Sequence, residues 1–551
     1  MTIVLFILFN LTLHFFFRGV LIFSKKLFNS NIEVDSYKLF ELPIFILYPV
    51  FSLFVLGNIG LVLNFITPLS NIRLGIYTII FLFVAFNFYQ KINYDYKFSF
   101  VSFLFIPSVL AISSYGINIH YDAIDYHLNH QSIILYEKII IGMQNIRIQF
   151  GWSTIYEYIQ SLLFFENNLL YLHFVNLIYL SLIFSFIAYC LFFNKSVFYK
   201  IVSINLILFS FLDNFGVNGG GNAFLQIQML GKVDIAFGVI FSLTYLFFLF
   251  DIFNNTYSKE SFLLLNFFVL YSIQLKVFGL YLLIPYSFYL YRLIKEKTKI
   301  FELVKSNAIP ILLGILYLFK NFIVSGCFIF PLSVTCVPSI SWASIDRVKV
   351  FSDGVRYSYE NNIAFKFSYN IKDWFEIWIN HAYNYQIHVN FFSSLLIIYL
   401  VSSFLAKNKN YNPFARNLNL LFIFLLVLTY ILTGPTFRYG FGIYLIIAFS
   451  INLGKKEMNY NILNSKYFLS TLSLIFFLSV GLTPRIYSYQ LFFEEPFKIF
   501  SISKFDNPYY LEKLNMEYDS YDSLRCYIEP TCIKFEKFSE TSLMGYRLFK
   551  K

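Results

Sequence analysis

The chain has 551 residues, 58% of them hydrophobic and only 13% charged, with a mean hydropathy of +0.64. This composition excludes a soluble core and points to a polytopic membrane protein. The apolar runs are continuous and too long for tilted strands, which excludes a β-barrel. The net charge of +11 does not mark a nucleic-acid partner, because the basic residues fall in short loops between apolar runs, where membrane topology signals lie.

Taken in order, spanning helices are expected near Ile3–Phe23, Pro43–Ile66, Leu74–Tyr89, Phe98–Ser114, Leu169–Phe193, Ile201–Leu212 and Ile235–Phe250. Seven more follow near Ser261–Leu275, Phe278–Tyr291, Ala308–Phe322, Phe391–Leu405, Leu418–Leu432, Phe441–Leu453 and Tyr467–Leu482. The fold class is therefore all-α, a polytopic bundle of about fourteen transmembrane helices. The first run lacks a basic leader and a small-residue cleavage site and reads as a retained helix. Most of the 73 Phe and 44 Tyr are read as lipid-facing filler and interfacial belt.

Strict alternation from a cytoplasmic Arg292–Lys305 loop puts the other lysine-rich loops inside as well. The short loops left outside carry little beyond Arg73, Lys232, Lys276 and Arg438, as the positive-inside tendency requires. Residues 1–482 then form one membrane domain with large outer loops at 115–168 and 325–390, and the tail 483–551 forms a small extracytoplasmic cap.

The titratable residues gather in one of these outer segments. His120, Asp122, Asp125, His127, His130, Glu137 and Arg147 lie together in a chain otherwise built of Phe, Leu and Ile, and such a concentration marks where chemistry is to be sought. Asp122 and Asp125, three apart, share a helix face. They suit either a divalent cation (Mg or Mn) on oxygen ligands or a general base toward a hydroxyl; as plain helix-capping acids they would pair with Arg147 or the histidines. His127 and His130 are too few and too poorly spaced for zinc.

Gly219-Gly220-Gly221-Asn222 precedes Gly231-Lys232-Val233-Asp234, a turn whose Lys232 either reaches an anionic head group or snorkels. Lys276 and Arg438 each interrupt apolar sequence; a cation there anchors at the interface or meets a phosphate. Cys190 reads as inert packing. Cys526 and Cys532 are spaced for a disulfide in an oxidising compartment, and Cys327 with Cys336 is a second candidate pair.

Several separated pieces resemble a family of bacterial polytopic membrane proteins associated with envelope-polysaccharide loci. They are Tyr121-Asp122-x-x-x-Tyr126-His127-Leu128 with Gly142, Asn145, Arg147 and Ser153; Lys320-Asn321-x-x-x-Ser325-Gly326-x-x-x-Phe330-Pro331; Gly434-Pro435-x-x-Arg438-Tyr439-Gly440-x-Gly442; and Cys526-x5-Cys532 with Gly545-Tyr546-Arg547. That family in turn resembles the C-type glycosyltransferases, multi-helix enzymes that take a sugar from a polyprenyl-phosphate donor and carry an acid in the first large outer loop.

The resemblance implies a multi-pass protein of the bacterial inner membrane with an extracytoplasmic active face. It implies Asp122 as the catalytic acid, ahead of Asp125, with His127 beside them. Asp234 would be a second acid, and Lys276, Arg438, Arg147 and Lys232 would bind substrate. The partners are then a lipid-linked sugar donor and a glycan or lipid acceptor. A polysaccharide polymerase or ligase, and a lipid-linked sugar flippase, are the alternatives.

Overall fold

A computed structural model describes the chain except residues 28–34, 36, 88–89, 91, 93, 121, 166–167, 215–226, 296–299, 358–363, 366–369, 381–383, 408–411, 436, 454–456, 459–464, 502–538 and 551. Among the described residues each of the fourteen apolar runs contains a helix. The protein is an all-α, multi-pass membrane bundle, because in hydrocarbon only internally hydrogen-bonded helices of this length satisfy their backbone.

Ten helices are long and apolar enough to cross: α1 (Thr2–Lys26), α2 (Ile44–Asn64), α3 (Leu69–Phe86), α4 (Tyr96–Gly116), α7 (Leu170–Phe193), α9 (Asp234–Asn254), α11 (Val277–Lys295), α12 (Ala308–Ser325), α13 (Ile387–Leu405) and α14 (Pro413–Thr433). An eleventh is counted if Tyr467–Leu482 and Ile486–Glu494, bent by 72°, make one broken span. The expected fourteen thus become ten or eleven among the described residues. The shortfall lies in α8 (Val197–Asp213), α10 (Lys259–Leu275) and α15 (Tyr439–Ser450), which are too short to meet the same length.

Sequence pattern sorts these helices by depth. α7 and α9 are apolar on every side and wholly buried at the centre, whereas only 11% of α3 is buried and it forms the lipid-facing edge. The segment expected as a large outer loop at 115–168 is instead mostly folded into the bundle's end. It supplies two short helices, α5 (Leu128–Tyr136) and α6 (Ile155–Leu162). Every residue of α6 is buried. It seats on α2 at Gly57, where a Cβ would come within 2.9 Å of the Ile155 and Ile159 side chains, so only glycine admits this approach.

The polar segments meet at one end of the bundle. The Met1 amino group and the Tyr115 hydroxyl both reach the Pro496 carbonyl, Asn64 accepts from Ile139 N–H, and Gly142 N–H donates to the Ile323 carbonyl. A hairpin of Ser539–Leu543 and Tyr546–Lys550 docks there too, with Phe549 N–H on the Ile141 carbonyl and Arg547 paired to Glu137. The opposite end is closed by Arg18, which holds Asp35 through two nitrogens and Asn87 through a third.

Cys327 and Cys336 form a disulfide at the polar end; Cys526 and Cys532 lie outside the described residues. A disulfide persists only in an oxidising compartment. Digests of alkylated, unreduced membranes are therefore expected to yield the Cys327–Cys336 cross-linked peptide by mass spectrometry. Recovery of both cysteines as free, alkylated thiols would place this end in the cytosol.

Candidate functional site

Two chain segments frame the site. Asn118–Ile119 pairs in parallel with Met229–Leu230. The next residue, Gly231, has φ +83°, and a Cβ there would fall 2.8 Å from the Ala123 Cα. A left-handed glycine is thus what lets the Lys232–Asp234 turn lie against the residues following Asp122. From Ala123 to His127 the helix takes π form, with Leu128 N–H bonding the Ala123 carbonyl, before continuing as α5. Such single π turns recur at functional sites, because the wider turn re-aims the side chains around it.

Asp122 opens this helix. Its backbone N–H donates to His120 Nδ1 at 3.1 Å, and its carboxylate lies 3.3 Å from the same nitrogen. Asp125 is within the π turn, but its side chain is outside the described residues. His127, at the end of the turn, points Nδ1 at Glu157 Oε1 on α6, while Gln131 Nε2 donates to Glu157 Oε2 at 2.9 Å. The His127 side chain keeps 12% exposure, against 3% for Glu157. Its Nε2 takes no hydrogen bond among the described residues. A buried carboxylate that holds one imidazole nitrogen and leaves the other open is the arrangement of a general base.

Burial pushes the Glu157 carboxyl up, but the neighbouring His127 and His130 rings and the Gln131 amide outweigh it and hold it below its ordinary value. Burial drives the His130 imidazole the other way, from 6.5 to about 4, so it is neutral at physiological pH.

The charged groups expected to bind substrate fall into two sets. Asp234, at the start of α9, is ion-paired with Lys276, which sits in extended backbone between α10 and α11. The Lys276 ammonium also lies 4.4 Å over the Tyr439 ring and 5.8 Å from that of Phe237. Arg438 immediately precedes Tyr439, so its backbone is drawn to the same place, but its side chain is outside the described residues. Lys232, buried in the turn after Gly231, is on the Asp122 side. Arg147 stands apart, with Nε 3.4 Å from Gln149 Oε1. Among the described residues no group of three or more His, Cys, Asp and Glu assembles to hold a metal.

Sequence reading missed Glu157. Thr154-x-x-Glu157 has the pattern of a helix capping box, in which the glutamate merely closes the first turn. Thr154 makes no side-chain cap bond, and the carboxylate is spent on His127 instead.

A family model described as a domain of unknown function, DUF8201, matches residues 1–445. No curated protein and no solved structure matches the chain.

Acidification is expected to destabilise the protein through both buried groups. The folded-state value of His130 lies below its ordinary 6.5, so the unfolded chain takes up the proton first. Stability is then lost as pH falls from 6.5 toward 4, by up to about 1.4 kcal/mol per unit. Glu157, whose folded value is also depressed, adds its loss only at still lower pH, below about 4.3. Thermal unfolding in detergent at stepped pH checks this: the midpoint should drop between pH 6.5 and 4 in the wild type and less steeply in His130→Gln. Identical acid profiles would contradict the assignment.

Proposed function

This chain belongs to the DUF8201 family, whose description names no activity, and from the site itself we propose that it is a membrane glycosyltransferase. It takes a sugar from a polyprenyl-phosphate donor and passes it to an envelope glycan or lipid acceptor on the extracytoplasmic face of a bacterial inner membrane. The observation that carries the reading is the buried Glu157–His127 pair with an open ring nitrogen, set on the π turn that begins at Asp122.

In this reading His127 Nε2 accepts the proton of the acceptor hydroxyl as that oxygen bonds to the anomeric carbon. Glu157 fixes the ring and stabilises the imidazolium formed, and Asp122 orients the hydroxyl. The bond from the anomeric carbon to the phosphate oxygen breaks, and the electron pair leaves with the lipid phosphate. Lys276 and Arg438, with Lys232 and Arg147 as further contacts, stabilise the charge growing on that leaving group. Cations act best there because the charge is larger in the transition state than in the bound donor. The Asp234 carboxylate holds Lys276 in place between turnovers.

A polysaccharide polymerase or ligase is the second reading. It draws on the same histidine, since such sites rely on histidines and arginines in outer segments more than on an acid.

Asp122→Asn in the native host tests the proposal. Surface glycan should fall by about 100-fold, the scale for misplacing a reacting hydroxyl, at unchanged protein level on immunoblots. Wild-type glycan at normal expression would remove Asp122 from the chemistry.

A further inference from the structure

Lys320 lies near the polar end of α12 and is completely buried. Its Nζ donates to the Ser153 carbonyl and rests 4.4 Å over the Tyr317 ring. Among the described residues no carboxylate pairs with it. A buried amine without an opposite charge is costly, and every residue from Ala308 to Phe319 in this helix is uncharged, so leucine or methionine would fill the place at less expense.

Among the described residues no backbone N–H bonds the carbonyl that Lys320 holds. Ser153, at φ −51° and ψ 85°, falls between the 3-10 turn Ile148–Trp152 and α6. The first backbone bond of α6, from Glu157 N–H, goes to the Thr154 carbonyl at 3.2 Å, not to Ser153. Without the lysine, a buried acceptor would be left unmet immediately before the helix that carries Glu157. His130, whose buried Nε2 has no hydrogen-bond partner among the described residues, lies within electrostatic reach of both Lys320 and Glu157, so the amine belongs to the surroundings of the dyad.

We infer that Lys320 is a positioning residue: by donating to the Ser153 carbonyl it fixes the start of α6 and thereby the place of Glu157 against His127. The inference rests on the reading of His127–Glu157 as the working pair of the site. The same end of α12 also receives Gly142 N–H on Ile323 and the Gln144 amide on Ser325, so one helix terminus sets the register of the whole segment from 142 to 154.

The test reads the pair directly and needs no turnover. Purified protein is treated with diethyl pyrocarbonate, which acylates an unprotonated imidazole nitrogen, and the rate at His127 is followed by peptide mass spectrometry. Lys320→Met, which keeps length and loses the donor, should change that rate by about fivefold, the equivalent of one lost hydrogen bond. Glu157→Gln should shift it in the same direction. Lys320→Gln, which retains an N–H donor, should return it toward the wild-type rate, and this comparison with Glu157→Gln serves if the methionine variant does not fold.

A folded Lys320→Met with wild-type His127 reactivity would overturn the inference. So would a glutamine variant as altered as the methionine one, since the donated bond would then not be what matters. If reactivity follows the prediction while surface glycan ignores His127→Gln, the positioning role stands and the glycosyltransferase reading falls.

Discussion

The Glu157 carboxylate, only 3% exposed among apolar helices, imposes the constraint from which this end of the molecule follows. An ion so placed costs several kcal/mol unless its oxygens are met. His127 meets one oxygen and Gln131 the other, both from the helix that starts at Asp122. That requirement locks α5 to α6, and α6 is itself seated on α2 through Gly57. This polar end is thus tied together by a buried charge, and the histidine that meets this charge keeps 12% exposure.

The remaining charges are arranged by the same economy. Asp234 balances Lys276, and the aromatic faces of Tyr439 and Phe237 cover the ammonium. The ion pair and the ring faces together hold the ammonium in one place. At the opposite end Arg18 is fully engaged by Asp35 and Asn87, which fits a fastening of the first helix. The His127–Glu157 pair and the Asp234–Lys276 pair thus each satisfy a buried or half-buried charge with a partner from another helix.

Helix positions were legible in the sequence because continuous apolar runs have few other solutions in a membrane: among the described residues each of the fourteen expected runs contains a helix. Their ends were less so: α8 and α10 run 17 residues each and α15 is shorter, because hydropathy marks where a helix is apolar more sharply than where it stops. Asp122 and His127 stood out as polar residues in greasy sequence. Glu157 did not, because its spacing from Thr154 imitates a routine cap, and its partner lies thirty residues away. In sequence Lys320 is one polar residue in a motif; its burial and its hold on Ser153 depend on tertiary packing that no local pattern encodes. The π turn at Ala123–His127 likewise leaves no period by which to read it.

The central claim is that an imidazole oriented by a buried carboxylate moves a proton during sugar transfer from a lipid phosphate. Its most direct test is release of free polyprenyl phosphate by purified protein in lipid nanodiscs, supplied with a lipid-phosphate-linked sugar and an acceptor, for wild type against Glu157→Gln. The account predicts release by the wild type and a rate lower by about 100-fold in the variant, the scale for misorienting a catalytic base. Equal rates from two folded proteins would contradict it.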